Sequence, residues 1–340
     1  APAQAMQIFR GIHHRGIATA CALTLGNFDG VHRGHQAMLA LLKNEARHRG
    51  LPSCVLTFEP HPRDFFAHRL GQPELAPARI ATLRDKLAEL KACGIDQCVI
   101  MAFNAGFAAL SPEAFVQEVL VQGLGVRYVL IGDDFRYGAK RAGDYAALSA
   151  SGQQKGFEVA RMNSYEIAFS APQSADQPTG VRVSSSAVRA ALGRGDMAQA
   201  ALLLGRPYSL SGHVIHGRKL GRDLNCPTLN VRFGHDKPAA SGIFVARVHG
   251  LSPQPLPGVA NLGVRPTLDR HDANQGQVLL ETHCLEWPPS LGPEGGYGKL
   301  VQVELLHKLH DERAYESLPA LEAGIQRDCD DARQWLATQP

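Results

Sequence analysis

The chain has 340 residues, of which 44% are hydrophobic, and its formal net charge is +3. This length can build one large or two medium domains, each with its own core. Lysine and arginine are scattered rather than clustered, which argues against a nucleic-acid partner and favours anionic small molecules. The seven cysteines lack CxxC spacing, which argues against a zinc site and a disulfide scaffold. No apolar run reaches the roughly 20 residues of a membrane helix, so we expect a cytoplasmic protein with no membrane partner.

The first half alternates short apolar runs with segments of helical period, which is typical of a parallel sheet with crossover helices. One helical stripe contains Leu83, Leu87 and Leu90, and Ser111 followed by Pro112 marks another helix start. The pattern predicts a doubly wound, Rossmann-like α/β domain. The predicted strands are Cys21–Leu25, 54–58, 97–103, 128–131 and 157–162.

The second half differs in kind. A Pro-, Gln- and Ser-containing loop at 171–180 precedes short helices at 185–192 and 197–204, and Gly205 with Pro207 ends the second of them. We place the domain boundary there, giving domains 1–205 and 206–340. Six short strand-like segments and a closing helical stripe then predict a small antiparallel β-barrel with a C-terminal helix. The predicted strands are 209–216, 229–233, 243–248, 258–262, 278–285 and 300–309, and the stripe covers 318–336.

The strongest motif is Gly-Asn-Phe-Asp-Gly-Val-His-Arg-Gly-His at 26–35, directly after a predicted strand. Gly26 and Gly30 allow a tight turn that presents backbone N–H groups and a helix start to a phosphate. His32 and His35 are one helical turn apart, so both imidazoles can bracket the phosphates of a nucleotide and stabilise developing charge. The alternative is an exposed helix end with two ordinary histidines.

Other segments support a nucleotide site at this end of the sheet. His61 follows the second strand, although it can equally belong to a stiff turn. Hydroxyls at Ser184 to Ser186, with Arg189 one turn later, offer a second phosphate contact, although helix capping also explains them. The segment 131–138 presents Asp133, Asp134 and Arg136 to a ribose or base, or else forms a plain loop salt bridge between Asp133 and Arg136.

A second phosphate motif opens the β-rich half. Gly217, Lys219 and Gly221 lie in a loop that can wrap a triphosphate. Thr228 and Asn230 follow on an extended segment, where residues two apart point the same way, and their oxygens suit Mg²⁺. The alternative is that Pro-Thr merely starts a barrel strand.

Phosphorylation of a hydroxyl requires an acceptor for its proton, and Glu281 is the candidate base. It interrupts the mostly apolar run 278–283 and shares a face with His283. Exposure to solvent is the alternative explanation for this carboxylate.

Through these motifs the chain resembles the bacterial family of bifunctional riboflavin kinases and FAD synthetases. Gly242-Ile243-Phe244, the segment 261–267, Glu281-Thr282-His283, Tyr297-Gly298-Lys299 and Asp328 fall in that family's order, whereas Asn225-Cys226 replaces its usual Gly-Phe. The resemblance implies ATP-phosphate contacts from both histidines, Mg²⁺ ligation by Thr228 and Asn230, and Glu281 as the base. It further implies that the adenylylation site is lined by Phe28, Asp29, Gly30, Asp134, Arg182, Ser185, Ser186 and Arg189.

The function that follows from the resemblance is two-step. The barrel phosphorylates riboflavin to FMN with ATP and Mg²⁺, and the first domain adenylylates FMN to FAD with a second ATP, releasing pyrophosphate. Three alternatives remain open: a single-activity nucleotidyltransferase with a flavin-binding but non-catalytic barrel, a cytidylyl or pantetheine-phosphate adenylyl enzyme with an unrelated barrel, and a flavin-binding regulator without turnover.

Overall fold

The fold is described from a computed structural model, which covers residues 4–168, 180–216, 227–264 and 277–340. The chain forms two compact units, each with its own core. The first consists of Ala1–Pro77 and Lys86–Val183, and the second of Ala78–Asp85 and Ser184–Pro340. Nothing in the sequence pattern indicates that the segment Ala78–Asp85 belongs to the second unit. The domain boundary at residue 205 stays a prediction.

The first unit is built on a six-stranded parallel sheet with the order β1-β4-β3-β2-β5-β6. The buried strands are apolar on both faces, as expected for a parallel sheet that is covered by helices. The chain order reverses between β2 and β5, and ligands of such sheets bind beyond the carboxyl ends of strands at this point. The strands are β1 (Gln7–Arg10), β2 (Cys21–Leu25), β3 (Ser53–Glu59), β4 (Gln97–Ala102), β5 (Val126–Gly132) and β6 (Glu158–Met162).

Helices and a short hairpin complete this unit. Phe115–Gly123 is a π-helix rather than the predicted α-helix, and its buried residues join the core beneath the sheet. The α-helices are α1 (Arg33–His48), α2 (Pro62–Leu70), α3 (Leu83–Ala92, whose first three residues belong to the second unit), α4 (Ala105–Ala108), α5 (Pro112–Ala114) and α6 (Tyr145–Lys155), and the hairpin pairs β7 (Glu166–Ala168) with β8 (Gly180–Arg182).

The second unit contains an antiparallel sheet with the order β10-β13-β12-β11-β14-β9. A bridge from Ile215 to Asn230 joins its two edges, so the sheet is nearly closed into a barrel. Its elements are α7 (Ser185–Gly193), α8 (Met197–Leu204), β9 (Ser209–His213), β10 (Thr228–Arg232), β11 (Gly242–His249), β12 (Leu256–Val264), β13 (Val278–Cys284), β14 (Leu300–His310) and α9 (Leu318–Ala337). Ile243, Val245 and Val259 pack against Cys329 and Ala332 of α9, as the predicted helical stripe requires.

The predicted fold class is confirmed: a parallel α/β unit is followed by a near-closed antiparallel barrel with a C-terminal helix. The edge strand β1 and the hairpin β7–β8 were not predicted. Among the described residues, no helix combines the length and the apolar character that a bilayer span requires.

Candidate active sites

The first candidate site is the turn that joins β2 to α1. Gly30 has a φ of +84°, and two non-glycine residues share the left-handed region, Phe28 at +50° and Val31 at +40°. A β-branched residue in that region is a strong outlier, and such strain concentrates at functional sites. Gly26 has no such φ, and its N–H donates to the carbonyl of Leu56 at 3.1 Å, so this N–H group continues the sheet; the predicted ATP contact of Gly26 stays a prediction.

The two histidines of the motif lie together at the start of α1. His32 is the N-cap, and its Nδ1 accepts a hydrogen bond from the backbone N–H of His35 at 3.2 Å. The imidazole rings stack with centroids 3.6 Å apart, and Phe28 meets the His35 ring edge-on at 5.0 Å. With Nδ1 of His32 as acceptor, Nε2 is the ring nitrogen that carries hydrogen. The pair therefore presents donors at the positive end of a helix.

Lys86 contacts the turn between β2 and α1, and the motif analysis did not identify this residue. Its side chain is 2% exposed. The ammonium group lies 3.1 Å from the carbonyl oxygen of Asn27, 3.0 Å from Oγ1 of Thr57 and 2.9 Å from Oε1 of Glu59. Three acceptors match the three protons of a lysine ammonium. Lys86 thus ties the predicted phosphate turn (residues 26–32) to the end of β3.

We expect Lys86→Met to destabilise the first unit by about 3 kcal/mol, because removing one partner of a buried ion pair leaves the other charge uncompensated. Glu59 keeps some access to water, so the loss should lie at the lower end of the usual range. Urea-induced unfolding measures it. The matched control is Lys91→Met on the same helix, where the side chain is exposed. Equal unfolding midpoints for the two variants would show that the buried contacts carry no net stability.

The segment that follows β8 approaches the same helix start. A Cβ at Gly34 would lie 3.0 Å from Cε1 of His32 and 3.3 Å from the carbonyl oxygen of Val183, so a side chain there would crowd both groups. Arg182 lies 4.0 Å from Asp133, which also accepts a hydrogen bond from Ser164. Arg182 is thereby held beside the loop after β5.

The loop after β5 does not form the salt bridge that was considered as an alternative. Arg136 lies 4.0 Å from Asp144 rather than pairing with Asp133. Asp134 is exposed. Burial, with smaller contributions from Asp144 and Glu113, raises the pKa of Tyr137 to about 12. The hydroxyl of Tyr137 therefore stays protonated at neutral pH.

His61 lies at the end of β3, next to β2 in the sheet. It is buried and caps α2, with its Nδ1 accepting a hydrogen bond from the N–H of Arg63 at 3.1 Å. The stiff-turn explanation therefore accounts for at least part of its role. Its predicted contact with flavin or nucleotide stays a prediction.

An open cavity of about 1020 Å³ adjoins the carboxyl ends of β1, β3 and β4. The π-helix forms one wall, and π-helical segments are frequent at functional sites. Glu59 borders the cavity and also contacts Lys86, which holds the predicted phosphate turn, so the cavity and that turn share Glu59 as a neighbour. Its walls include Arg10, Glu59, Met101, Phe107, Val119 and Gln122.

A chain of aromatic rings runs past this cavity, with neighbouring centroids 5.2 to 6.1 Å apart. Phe107 belongs to both the chain and the cavity wall. Phe66, at one end, is 43% exposed. Most of these ring pairs are edge-to-face, a favourable arrangement for aromatic side chains. The members are Phe58, Phe65, Phe66, Phe103, Phe107, Phe115, Phe135 and Tyr137.

The serines predicted at a helix start belong to the second unit. Ser184 is the N-cap of α7 and accepts a hydrogen bond from the N–H of Ala187 at 3.1 Å. Capping therefore explains Ser184 but not Ser185 or Ser186. The Nε–H of Arg189 donates to the carbonyl of Ala78 at 2.7 Å within the same unit.

The second candidate site lies on one face of the barrel sheet. Thr228 is paired with His283 and Asn230 with Glu281 across β10 and β13. Oγ1 of Thr228 lies 3.1 Å from Nδ1 of His283, and Nε2 of that ring lies 3.6 Å from Oε1 of Glu281. Glu281 is 6% exposed, so the solvent-facing explanation of this carboxylate is wrong. The structure brings the predicted base and both predicted cation ligands together on one face.

The remaining kinase predictions, Gly217, Lys219 and Gly221, lie outside the described residues, as do Asn225 and Cys226. His283, in contrast, is a site residue that the motif analysis did not assign a role. Its signal was the period-2 pattern that places it on the face of Glu281.

Comparison with known proteins finds a separate family match for each half of the chain. The FAD synthetase family matches residues 14–174, and the riboflavin kinase family matches residues 204–336. A bifunctional riboflavin kinase/FMN adenylyltransferase of Escherichia coli (strain K12) is 41% identical over 338 residues, which cover 98% of this chain and all of that relative. One from Pseudomonas fluorescens is 41% identical over 337 residues, 98% of each chain.

Among solved structures, a macrolide-efflux protein from Streptococcus pneumoniae has a similar fold. Its TM-score is 0.71 over 97% of this chain and 100% of that chain, at 23% sequence identity, so the likeness concerns the fold alone. The full-length relatives and the two family matches, taken with the phosphate turn and the Glu281 face, show that this chain belongs to the family of bifunctional riboflavin kinase/FMN adenylyltransferases.

Proposed function

We propose that the two activities of this family are divided between domains 1–205 and 206–340. The chain phosphorylates riboflavin to FMN with ATP and then adenylylates FMN to FAD with a second ATP, releasing pyrophosphate. Riboflavin phosphorylation belongs to the Glu281 face of the barrel, and adenylylation belongs to the turn after β2. The observation that carries this division is that each unit holds its own set of groups suited to phosphate chemistry, a stacked histidine pair in one and the partly buried set Thr228–His283–Glu281 in the other.

In adenylylation, His32 and His35 donate hydrogen bonds to the phosphates of ATP while the FMN phosphate attacks the α-phosphorus. The leaving pyrophosphate gathers negative charge, which the helix start and the imidazoles stabilise. The FMN phosphate is already an anionic nucleophile, so no general base is required. Gly26, Phe28, Asp29, Gly30, Ser185, Ser186 and Arg189 remain proposed ATP contacts, and His61, Asp134 and Arg182 remain proposed flavin or nucleotide contacts.

The isoalloxazine ring of FMN requires a flat, largely apolar site. We assign it to the cavity of about 1020 Å³ beside Phe107, because ligand pockets are typically concave, mostly apolar and up to about 1,000 Å³ in volume. The cavity adjoins Glu59 and hence the Lys86 support of the phosphate turn. A flavin there would lie close to the end of β3.

In riboflavin phosphorylation, Glu281 accepts the proton of the attacking hydroxyl. One tautomer of His283 fits both of its neighbours: the Thr228 hydroxyl donates to Nδ1, and Nε2–H points to Glu281. In this arrangement the oxygen of Thr228 keeps its lone pairs for a ligand. His283 would therefore orient the base and Thr228 together.

The residues on β10 fit Mg²⁺. Oδ1 of Asn230 is buried and has no hydrogen-bond partner within the described part of the chain, as expected for an oxygen that meets an ion. Thr228 and Asn230 would hold the ion, with phosphates and water completing its shell. When bound, Mg²⁺ supplies charge neutralisation to the transferred phosphoryl group. Thr228 and Asn230 then mark the part of the barrel site where the nucleotide phosphates bind.

Incubation with riboflavin and MgATP alone, with flavins separated over time, tests the proposal. We expect FMN to appear before FAD, because FMN is the substrate of the second step. FAD formed only from supplied FMN would show that the Glu281 face is not a working kinase site.

A further inference from the structure

Glu281 lies at the centre of a row of three polar side chains across β10, β13 and β12. The strand registers pair it with Asn230 on one side and with Asn261 on the other. Directly opposite residues of antiparallel neighbours project from the same face, with Cβ atoms about 4.5–5.5 Å apart. The carboxylate therefore has an amide side chain on each side.

The two amides share an unusual property. Oδ1 of Asn230 and Oδ1 of Asn261 are both buried, and neither has a hydrogen-bond partner among the residues that the structure describes. Most buried polar groups are hydrogen-bonded, and an unpaired one lowers stability unless water or a ligand satisfies it. Two such oxygens flanking a buried carboxylate point to ligand groups arriving on both sides of Glu281.

The two ends of the row face different substrates. The predicted nucleotide-side residues of the described kinase face, Thr228 and Asn230, lie on β10. In phosphoryl transfer the attacking and leaving oxygens are roughly in line, and the base meets the attacking hydroxyl. If the triphosphate lies on the β10 side and the attacking hydroxyl lies at Glu281, the rest of the substrate that carries this hydroxyl extends toward β12. Asn261 is the polar residue that meets it there.

We propose that Asn261 is a substrate-positioning residue of the kinase reaction, with its Oδ1 accepting a hydrogen bond from a secondary hydroxyl of the ribityl chain of riboflavin. The inference rests on the proposed function of Glu281 and β10. Each ribityl hydroxyl is an O–H donor, and the buried amide oxygen is a matching acceptor. Fixing a hydroxyl next to the terminal one restricts the rotation of the nucleophile at the base.

The test compares wild type with Asn261→Ala on riboflavin and on its 2′-, 3′- and 4′-deoxy analogues. We expect Asn261→Ala to lower kcat/KM for riboflavin about tenfold, the size of one lost hydrogen bond in a buried site. For wild type, kcat/KM should fall by a similar factor when one of the deoxy analogues replaces riboflavin. For Asn261→Ala, kcat/KM should be the same with that analogue as with riboflavin. Flavin fluorescence without ATP should show weaker riboflavin binding by the variant.

Two further variants keep the test decisive. Thr282→Val removes another buried hydroxyl that lacks a hydrogen-bond partner in the described ranges, but on the opposite face of β13, and should leave the analogue pattern unchanged. Asn261→Ser retains an acceptor oxygen in a smaller side chain and should recover part of the discrimination. It also replaces Asn261→Ala if alanine prevents folding of the barrel, which thermal unfolding of the variant reveals.

The proposal is overturned if wild type and Asn261→Ala lose the same factor with every deoxy analogue. It is also overturned if Asn261→Ala raises KM for MgATP while riboflavin binding is unchanged, because the amide would then serve the nucleotide. The base assignment is tested separately by Glu281→Gln. Turnover at the wild-type rate in that variant would contradict the role of Glu281 without altering the analogue comparison in the wild-type background.

Discussion

Replacing His32 with alanine is expected to lower FAD formation by about 100- to 1,000-fold while riboflavin phosphorylation continues, so that FMN accumulates. The reason is that the imidazole donates to charge that builds on the phosphates only as the α-phosphorus is attacked. Separation of flavins after incubation with riboflavin and MgATP measures both steps in one sample.

The same substitution removes the N-cap of α1, which alone can lower stability by about 1 kcal/mol. His32→Asn is the matched control, since asparagine caps helices well but lacks an imidazole. We expect thermal unfolding of His32→Asn to resemble wild type, with FAD formation as low as in the alanine variant. Near-normal FAD formation by His32→Asn would mean that the histidine acts only as a cap.

Glu281→Gln is expected to lower riboflavin phosphorylation about 100-fold, because the amide fills the same space but cannot accept the proton of the attacking hydroxyl. Positioning and charge neutralisation account for much of phosphoryl transfer, so some turnover should survive. The measurement is FMN formation from riboflavin, with FAD formation from supplied FMN as the internal reference.

Glu286→Gln is the comparison variant for this experiment. It makes the same chemical change just beyond the end of β13, at an exposed position. We expect its FMN formation to equal that of wild type. If Glu281→Gln also phosphorylates riboflavin at the wild-type rate, the proton acceptor is another group.

Much of the fold was predictable because hydrophobic periodicity reports burial directly. The five longer strands of the parallel sheet and all six barrel strands were predicted to within a few residues. The strand β1 was not predicted because it is an exposed, four-residue edge strand that lacks a clear apolar run. The π-helix was not predicted because its apolar spacing also fits an α-helix. The two helices differ in their backbone hydrogen bonds, which the spacing of apolar residues does not reveal.

The sites divide in the same way. His32, His35, Thr228, Asn230 and Glu281 were identifiable because their chemistry depends on local spacing along one element. The proposed roles of Asn261 and His283 involve residues on neighbouring strands, and only the strand register shows which residues these are. Lys86 did leave a signal, because it occupies the apolar stripe of Leu83 and Leu90 at helical spacing. A lysine at such a position requires acceptors, but their identity depends on tertiary contacts.

The exclusion of the single-activity and regulator alternatives came from family membership rather than from geometry. Two family matches and full-length relatives cover both halves of the chain. The structure adds the burial of Glu281, which removes the simplest non-catalytic explanation for that carboxylate.

The backbone conformations of Phe28 and Val31 have an evolutionary consequence. Each non-glycine residue held at positive φ costs on the order of 1–3 kcal/mol, but both side chains are buried, so a glycine would relieve the strain and remove core contacts of at least similar value. Phe28 cannot be exchanged without removing the ring that contacts His35. A sequence that keeps both the core packing and this ring contact therefore has to retain the strained backbone.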